Sequence, residues 1–578
     1  MSNLKKISAY LFLFFGSFVL LYLLSLLMLN PAIDTGRELY IPFRMLNGEV
    51  LYKDIFNIYG PLAYQINAFS YCLMGARINS LRIFGIFNFM LILSSIWFIL
   101  KEFFEKDDKI TVFSKFTKGF KDCMLVFILL SLYSLGIFNY ILPYSFAMTY
   151  GLCFFLWSLF CLIEFSKTDL PKFAYLSCLF AGGAVCCKYE FFAYLIFLLL
   201  YLLFCKKPKT FLISVLSLAI IPVISFGTLF LQGMSFADLS KTFQIMKTMA
   251  DTVAIKYLYT NFTGTYFNLK VFGICFGKTL VLAVIGAILY FFGRLCRKDK
   301  FLTLIVYTFS FLGMIYTGTV GFSLFAIINT LLLIIYFKKI YANKPVFIFM
   351  SASILLSLKT FFAVNIETYG AYTLPLLIIS IFVFLSNIDY CEDNEVKSNI
   401  LNTYSVIVFF FVLIFVINST IINLKKLHGF ITTEPILTSN HIEQITKTEY
   451  TYPYIAEPIN MAIAYISNNT KTTDKIVVLP ETQFLNFVTK RPADNLYDSL
   501  TPLYFETFGE DNIIEHFKET KPEYFILNNR NTIDYGKRYI CEDYGQNFCS
   551  FVDKNYKKVE TFGEKQYILQ VFKRKDLL

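Results

Sequence analysis

Apolar runs of near-bilayer length recur through the first 424 residues of this chain, and they constrain it more than any other feature. They begin at Ala9 and again near Leu81, Cys123, Phe146, Phe173, Phe191, Thr210, Val271, Phe301, Gly321, Pro345, Tyr372 and Ser405. A helix needs about 20 predominantly apolar residues to cross the hydrocarbon core, so the pattern predicts about thirteen spans. Composition points the same way: 56% of residues are hydrophobic and only 16% charged, against roughly 25% charged in soluble domains. The first run, Ala9 to Leu29, follows Lys5 and Lys6, outruns a signal-peptide core and lacks a small-x-small cleavage site. It reads as a retained anchor with its N-terminus inside. The shorter apolar piece from Ala63 to Leu73 reads as re-entrant or interfacial.

The net charge of +11 invites a nucleic-acid reading, which its distribution removes. From Lys425 onward 19 basic residues face 21 acidic ones, whereas the preceding residues carry 33 basic and 20 acidic. The excess therefore sits in short loops between spans, as the positive-inside rule requires. Lys101, Lys106, Lys109, Lys115, Lys118 and Lys121 share one side with Lys167 and Lys172, and with Lys206, Lys207 and Lys209. Arg294, Arg297, Lys298 and Lys300, then Lys338, Lys339 and Lys344, fall on that same side. An odd number of spans then places everything after Leu424 outside, at the cell membrane's extracytoplasmic face.

The expected architecture is thus a mainly α, multi-pass membrane domain over 1–424, with a small extracytoplasmic α/β domain over 425–578. In that tail Pro458–Asn468, Glu481–Thr489 and Asp511–Thr520 read as helices. Lys475–Leu479 and Tyr524–Asn528 read as strands, and Val559–Phe562 with Gln566–Phe572 as a terminal hairpin. No Gly-rich phosphate loop is present. Cys541 and Cys549 lie in this polar region and read either as a disulfide in an oxidising compartment or as two free thiols. Cys153, Cys161, Cys186 and Cys187 lie in apolar runs and read as small buried hydrophobes. The three histidines are dispersed, which argues against a histidine-based metal site.

Chemistry concentrates in the first outer loop, 30–80, which opens NPAIDTGRELYIPFRMLNGEVLYKDIFNIYGPLAYQ. Asp34, Arg37, Glu38, Arg44, Glu49, Lys53 and Asp54 all follow the first span directly. Asp34 and Glu38 are four apart and share one face of a helix. Two carboxylates there suit a general base and a metal or acceptor ligand, or else a solvated amphipathic surface helix. In CCKYEFF, Lys188 stands beside Tyr189 and Glu190 between two apolar runs. An ionisable residue in such surroundings is costly and reads by default as functional, with a snorkelling lysine paired to Glu190 as the plain alternative. The outer loops Gln232–Lys270 and Lys359–Pro375 are placed to close over the site, the latter through Lys359, Glu367, Tyr369 and Tyr372.

The acidic residue just after the first span, followed by GRE, G-x-x-x-YKD and YGPL, resembles the GT-C superfamily of polyprenyl-phosphate-sugar-dependent glycosyltransferases. The resemblance is nearest to the branch of protein O-mannosyltransferases and the lipid A aminoarabinose transferase. Its specific motifs lie within about the first eighty residues. It implies a lipid-linked sugar donor, with Asp34 and Glu38 as the catalytic acidic residues. Those families often carry an adjacent Asp-Glu pair, whereas here Thr35 follows Asp34. The resemblance further implies that Lys188 faces the donor phosphate, with Arg37, Arg44 and Lys53 as rival phosphate contacts. Asp54, Tyr59, Glu190, Lys359 and Tyr369 are the remaining candidates for binding substrate. No cofactor is specified, and a divalent metal ion is compatible with the acidic pair. The expected partners are the donor, membrane lipids, and an acceptor that is lipid, glycan or protein. A membrane transporter and a non-catalytic partner in polysaccharide export or assembly are the alternatives. Against transport stand the clustering of charges at span ends and the lack of visible repeats.

Overall fold

The computed structural model describes residues 15–104, 140–261, 269–291 in part, 321–358, 371–432, 435–438, 441–445, 448–494, 496–497 and 499–578. The runs expected near Cys123 and Phe301 lie outside these residues. So do Lys106, Lys109, Lys115, Lys118, Lys121, Arg294, Arg297, Lys298, Lys300, Lys359, Glu367 and Tyr369.

The N-terminal part is helical: α1 (Phe15–Ser25), α2 (Asp34–Leu46), α3 (Leu62–Met74), α4 (Ile78–Phe104), α5 (Phe146–Thr168), α6 (Pro171–Cys187), α7 (Phe192–Phe204) and α8 (Pro208–Leu231). Two shorter helices follow, α9 (Phe236–Asp251) and α10 (Val253–Asn261). Further on come α11 (Gly321–Ile335), α12 (Phe337–Ala342), α13 (Lys344–Leu356), α14 (Leu374–Asn387) and α15 (Asn394–Lys426). Among the described residues three helices, α4, α5 and α8, are long and apolar enough to cross a bilayer. Six more apolar helices are 10–17 residues long. Three spans is therefore what helix length and composition establish here, beside the expectation of about thirteen. The 13 residues of α3 rise only about 20 Å, short of a bilayer.

The antiparallel hairpin of α5 and α6 forms the centre of the bundle, turning at Asp169 and Leu170. Of the three long helices α5 is the most enclosed and α8 the least. On α8, Leu212, Leu216, Ile220, Val223 and Ile224 are exposed. A row of large aliphatic side chains of this kind calls for lipid as its solvent.

Beyond α15 the chain changes character. Strands β1 (Gly429–Thr432) and β4 (Thr448–Thr451) pair antiparallel, as do β2 (Pro435–Thr438) and β3 (His441–Ile445). Next come α16 (Pro453–Asn469), β5 (Ile476–Leu479), α17 (Phe484–Thr489), α18 (Pro502–Phe508), α19 (Glu510–Thr520), β6 (Tyr524–Asn528) and α20 (Gln546–Asn555). The hairpin β7 (Tyr556–Phe562) and β8 (Leu569–Arg574) ends the fold. The sheet order is β5-β6-β8-β7, with β5 and β6 parallel and the other pairs antiparallel. β5 and β6 are buried along their whole length, as continuous apolar strands covered on both faces should be. Cys541 and Cys549 form a disulfide, with Cα atoms 5.5 Å apart. The helix expected from Glu481 starts instead at Phe484, because Thr482 has a φ of 114°, outside the helical region.

This α/β part is docked on the first loop. A Cβ on Gly36 would stand 2.4 Å from the backbone nitrogen of Phe484, so only glycine lets α2 approach the start of α17 this closely. Around that contact Thr482 Oγ1 donates to the Ala32 carbonyl at 3.0 Å, and the Ala493 N–H donates to the Tyr40 hydroxyl at 2.8 Å.

Candidate active site

Helix α2 is buried on nearly every side, between the bundle and the α/β part. Its residues Asp34, Arg37 and Ile41 recur at i, i+3 and i+7, one helical stripe, and this stripe lines a cavity of about 150 Å³. The loop after α2 adds Asn57 and Tyr59, the turn after α6 adds Lys188 and Glu190, and the segment before α5 adds Tyr144. Helices α9 and α10 contribute Met249, Ile255, Leu258 and Tyr259. The α/β part closes the far side with Glu481, Gln483, Ser499, Leu503, Tyr504 and Tyr535.

Lys188 follows the last residue of α6 and is 5% exposed. Its position at a helix C-terminus favours a cation, because the last carbonyls carry partial negative charge. Nζ donates to the Tyr144 hydroxyl at 3.1 Å and lies 3.3 Å from Glu190 Oε1. The Tyr59 and Tyr144 rings flank it, with centroids 5.4 and 5.5 Å away. Tyr59 is brought there by Gly60, where a Cβ would stand 2.0 Å from the Cys186 carbonyl oxygen. The Gly60 N–H donates to the Cys187 carbonyl at 3.1 Å. Burial pushes the Tyr59 hydroxyl up to about 12, so it stays a neutral donor at physiological pH.

Arg37 donates to the Tyr144 carbonyl at 3.0 Å and pairs with Asp34 Oδ1 at 3.2 Å. Burial works against its charge, but Asp34, Tyr59 and Glu38 outweigh it, and the guanidinium is held well above its ordinary value. Tyr144 thus connects the two cations, Lys188 through its hydroxyl and Arg37 through its carbonyl. Asp34 keeps about a third of its side chain exposed, at 34%.

Glu38, expected beside Asp34 in the chemistry, has no exposure and lies behind the cavity wall. Its Oε2 accepts the Phe146 N–H at 2.9 Å and its Oε1 the Tyr64 hydroxyl at 3.0 Å. Burial raises its carboxyl above the ordinary value against the opposing pull of Arg37 and these hydrogen bonds. Asp54 is occupied locally: Oδ2 accepts the Val50 N–H at 2.8 Å, and its carbonyl accepts from Arg44 at 3.1 Å. Arg44 is spent on Glu49, at 2.5 Å. Lys53 does not line the cavity and points instead toward Gly233, where its Nζ is 3.5 Å from the position a Cβ would take. Of the expected residues the structure therefore brings together Asp34, Arg37, Tyr59, Lys188 and Glu190. It sets Glu38, Lys53 and Asp54 apart from the cavity. Lys359 and Tyr369 fall outside the described residues.

Sequence reasoning missed Tyr144 and the whole contribution of the α/β part. The signal for Glu481 and Gln483 was available, since ligands gather at the carboxyl ends of parallel strands and both residues follow β5. Among the described residues no group of three or more His, Cys, Asp or Glu side chains converges as a metal site.

No protein-family model matches the chain, and no curated protein does. Among solved structures the chain is similar to the crystal structure of ArnT from Cupriavidus metallidurans bound to undecaprenyl phosphate, with 11% sequence identity and a TM-score of 0.49, over 98% of each chain.

Proposed function

We propose that the protein is an integral membrane glycosyltransferase that moves a sugar from a polyprenyl-phosphate donor to an acceptor at the extracytoplasmic face. The observation that carries this reading is one cavity, at the ends of apolar helices α5 and α6, lined by the Asp34 carboxylate together with two cations, Arg37 and Lys188. A lipid-linked donor keeps its tail in the bilayer and presents its phosphate where such helices end. Lys188 and Arg37 neutralise that phosphate as it leaves. Asp34 accepts the proton of the acceptor hydroxyl while its oxygen bonds to the anomeric carbon and the carbon–phosphate oxygen bond breaks. The lipid phosphate departs with the bonding electrons.

The α/β part, residues 425–578, stands on the same side of the membrane as this cavity, and the multi-pass part comprises 1–424. Transfer from radiolabelled polyprenyl-phosphate sugars in proteoliposomes tests the reading. Label reaching a co-reconstituted envelope extract, and not reaching it with heat-denatured protein, is the expected result. Absence of transfer from every polyprenyl-phosphate sugar tried returns the protein to the transporter and export-partner alternatives.

A further inference from the structure

The cavity has two walls of different origin. One belongs to the bundle and first loop, and carries Asp34, Arg37 and Lys188. The other belongs to the α/β part, and its Glu481, Gln483, Ser499, Tyr504 and Tyr535 have no role in donor binding as derived above. A donor anchored in lipid approaches along the first wall. Whatever receives the sugar must then meet Asp34 from the second.

That second wall has the composition of a polyol site. It lines the cavity with a carboxylate, an amide, a hydroxyl and two tyrosines, with Tyr259 also lining it from α10. Planar polar groups select hydroxyls, and aromatic faces cover the C–H face of a sugar ring. Its frame is rigid. Glu481 follows the end of β5, and Arg530 follows the end of the parallel strand β6, so both sit at the carboxyl ends where ligands of such sheets bind. Arg530 pairs with Glu481, and also with Asp534 at 3.7 Å. Asn528 Nδ2 donates to the Glu481 carbonyl at 2.7 Å and to Thr482 Oγ1 at 3.2 Å. Thr482 in turn donates to the Ala32 carbonyl, two residues before Asp34. The backbone at Glu481 and Thr482 is thereby tied to the backbone just before Asp34, and both carboxylates line the same cavity. A carboxylate offers about four lone-pair positions, more than the guanidinium of Arg530 needs.

We propose that this wall is the acceptor subsite, that it is built for the hydroxyl face of a saccharide, and that Glu481 is the positioning residue that orients the accepting hydroxyl toward Asp34. The inference rests on the glycosyltransferase reading and names its acceptor class. The full chain in nanodiscs provides the test. Saturation-transfer NMR is run with the methyl glycosides of glucose, galactose and N-acetylglucosamine, and with a Ser/Thr hexapeptide as the competing class. Undecaprenyl phosphate binding is measured separately.

At least one glycoside should receive saturation in wild-type protein and the peptide should not. Glu481→Gln should weaken that glycoside roughly tenfold or more, the scale of a lost charge-assisted hydrogen bond, while undecaprenyl phosphate binding is unchanged. Because Glu481→Gln also disturbs the Arg530 pair, Ser499→Ala serves as the second variant. The Ser499 hydroxyl also donates to the Pro480 carbonyl at 3.1 Å, so undecaprenyl phosphate binding is the fold control, and the glycoside should weaken while that binding is unchanged. Saturation of the peptide alone, of no glycoside, or equally in wild type and both variants overturns the proposal. Loss of undecaprenyl phosphate binding by the wild type would sink the donor reading instead, and the glycoside result would still decide this wall.

Discussion

Glu38 holds the first N–H of helix α5, that of Phe146, at 2.9 Å. A carboxylate at a helix N-terminus is favoured by the unpaired N–H groups and the dipole there. The antiparallel partner helix α6 ends on the same side with Lys188. The hairpin therefore presents its positive end to an anion and its negative end to a cation; Lys188 lines the cavity and Glu38 stands behind its wall.

Glu38 should accordingly act through position. Glu38→Ala leaves the Phe146 N–H and the Tyr64 hydroxyl without this acceptor, and each buried group left so costs about 1–3 kcal/mol. The melting temperature should fall by several degrees and transfer should fall with it. Glu38→Gln should be milder than Asp34→Asn in transfer assays. A Glu38→Gln protein with wild-type melting temperature and activity as low as that of Asp34→Asn would make Glu38 a direct participant.

Asp34→Asn keeps the size of the side chain and removes its proton-accepting ability. Loss of a general base costs typically ~10²–10⁴ in rate. The variant should insert, melt normally and bind undecaprenyl phosphate, yet transfer sugar at that reduced rate. Near wild-type transfer would remove Asp34 from the chemistry.

Lys188→Ala should weaken donor binding and turnover by roughly ten- to a hundredfold, the scale of a charge-assisted hydrogen bond to phosphate. Lys188→Arg should retain part of each. Unchanged kinetics for Lys188→Ala would leave the lysine as a structural partner of Glu190 and Tyr144.

The α/β part carries its own acid sensitivity. Burial opposes ionisation of Asp494, but the His516 ring at 2.8 Å and the N–H groups of Tyr497 and Leu496 outweigh it and hold the carboxyl below its ordinary value. Stability from this group is present above the unfolded carboxylate value of about 3.9. It is lost as pH falls from there through the lower folded value. Near-UV circular dichroism of the full chain should show tertiary signal lost below about pH 4, and Asp494→Asn should flatten that limb. An identical acid profile in the variant would exclude this group as its source.

Sidedness is checked by labelling single cysteines. On a cysteine-free background, Lys558→Cys should react with an impermeant maleimide from the extracytoplasmic side and Lys101→Cys only after permeabilisation. Both reacting from one side would break the orientation argument.

The local chemistry of the chain was legible wherever a one-dimensional property decides it. Hydropathy marks the apolar helices, because lipid demands length and apolarity from each segment separately. Lys475–Leu479 and Tyr524–Asn528 read as strands, and they form β5 (Ile476–Leu479) and β6 (Tyr524–Asn528). A charge embedded in apolar sequence, Lys188, marks itself by its cost. The tertiary structure decided what spacing cannot encode. Asp34 and Glu38 are four apart on one helix, yet the cavity opens to Asp34 while Glu38 turns into the wall to meet the end of α5. Glu481, Ser499 and Tyr535 stand across from Asp34 although more than 440 residues separate them in sequence. That meeting depends on α2 docking against α17 through Gly36, a contact made by the absence of a side chain. Which faces of a helix are covered is a property of its neighbours, and those neighbours are chosen only when the chain folds.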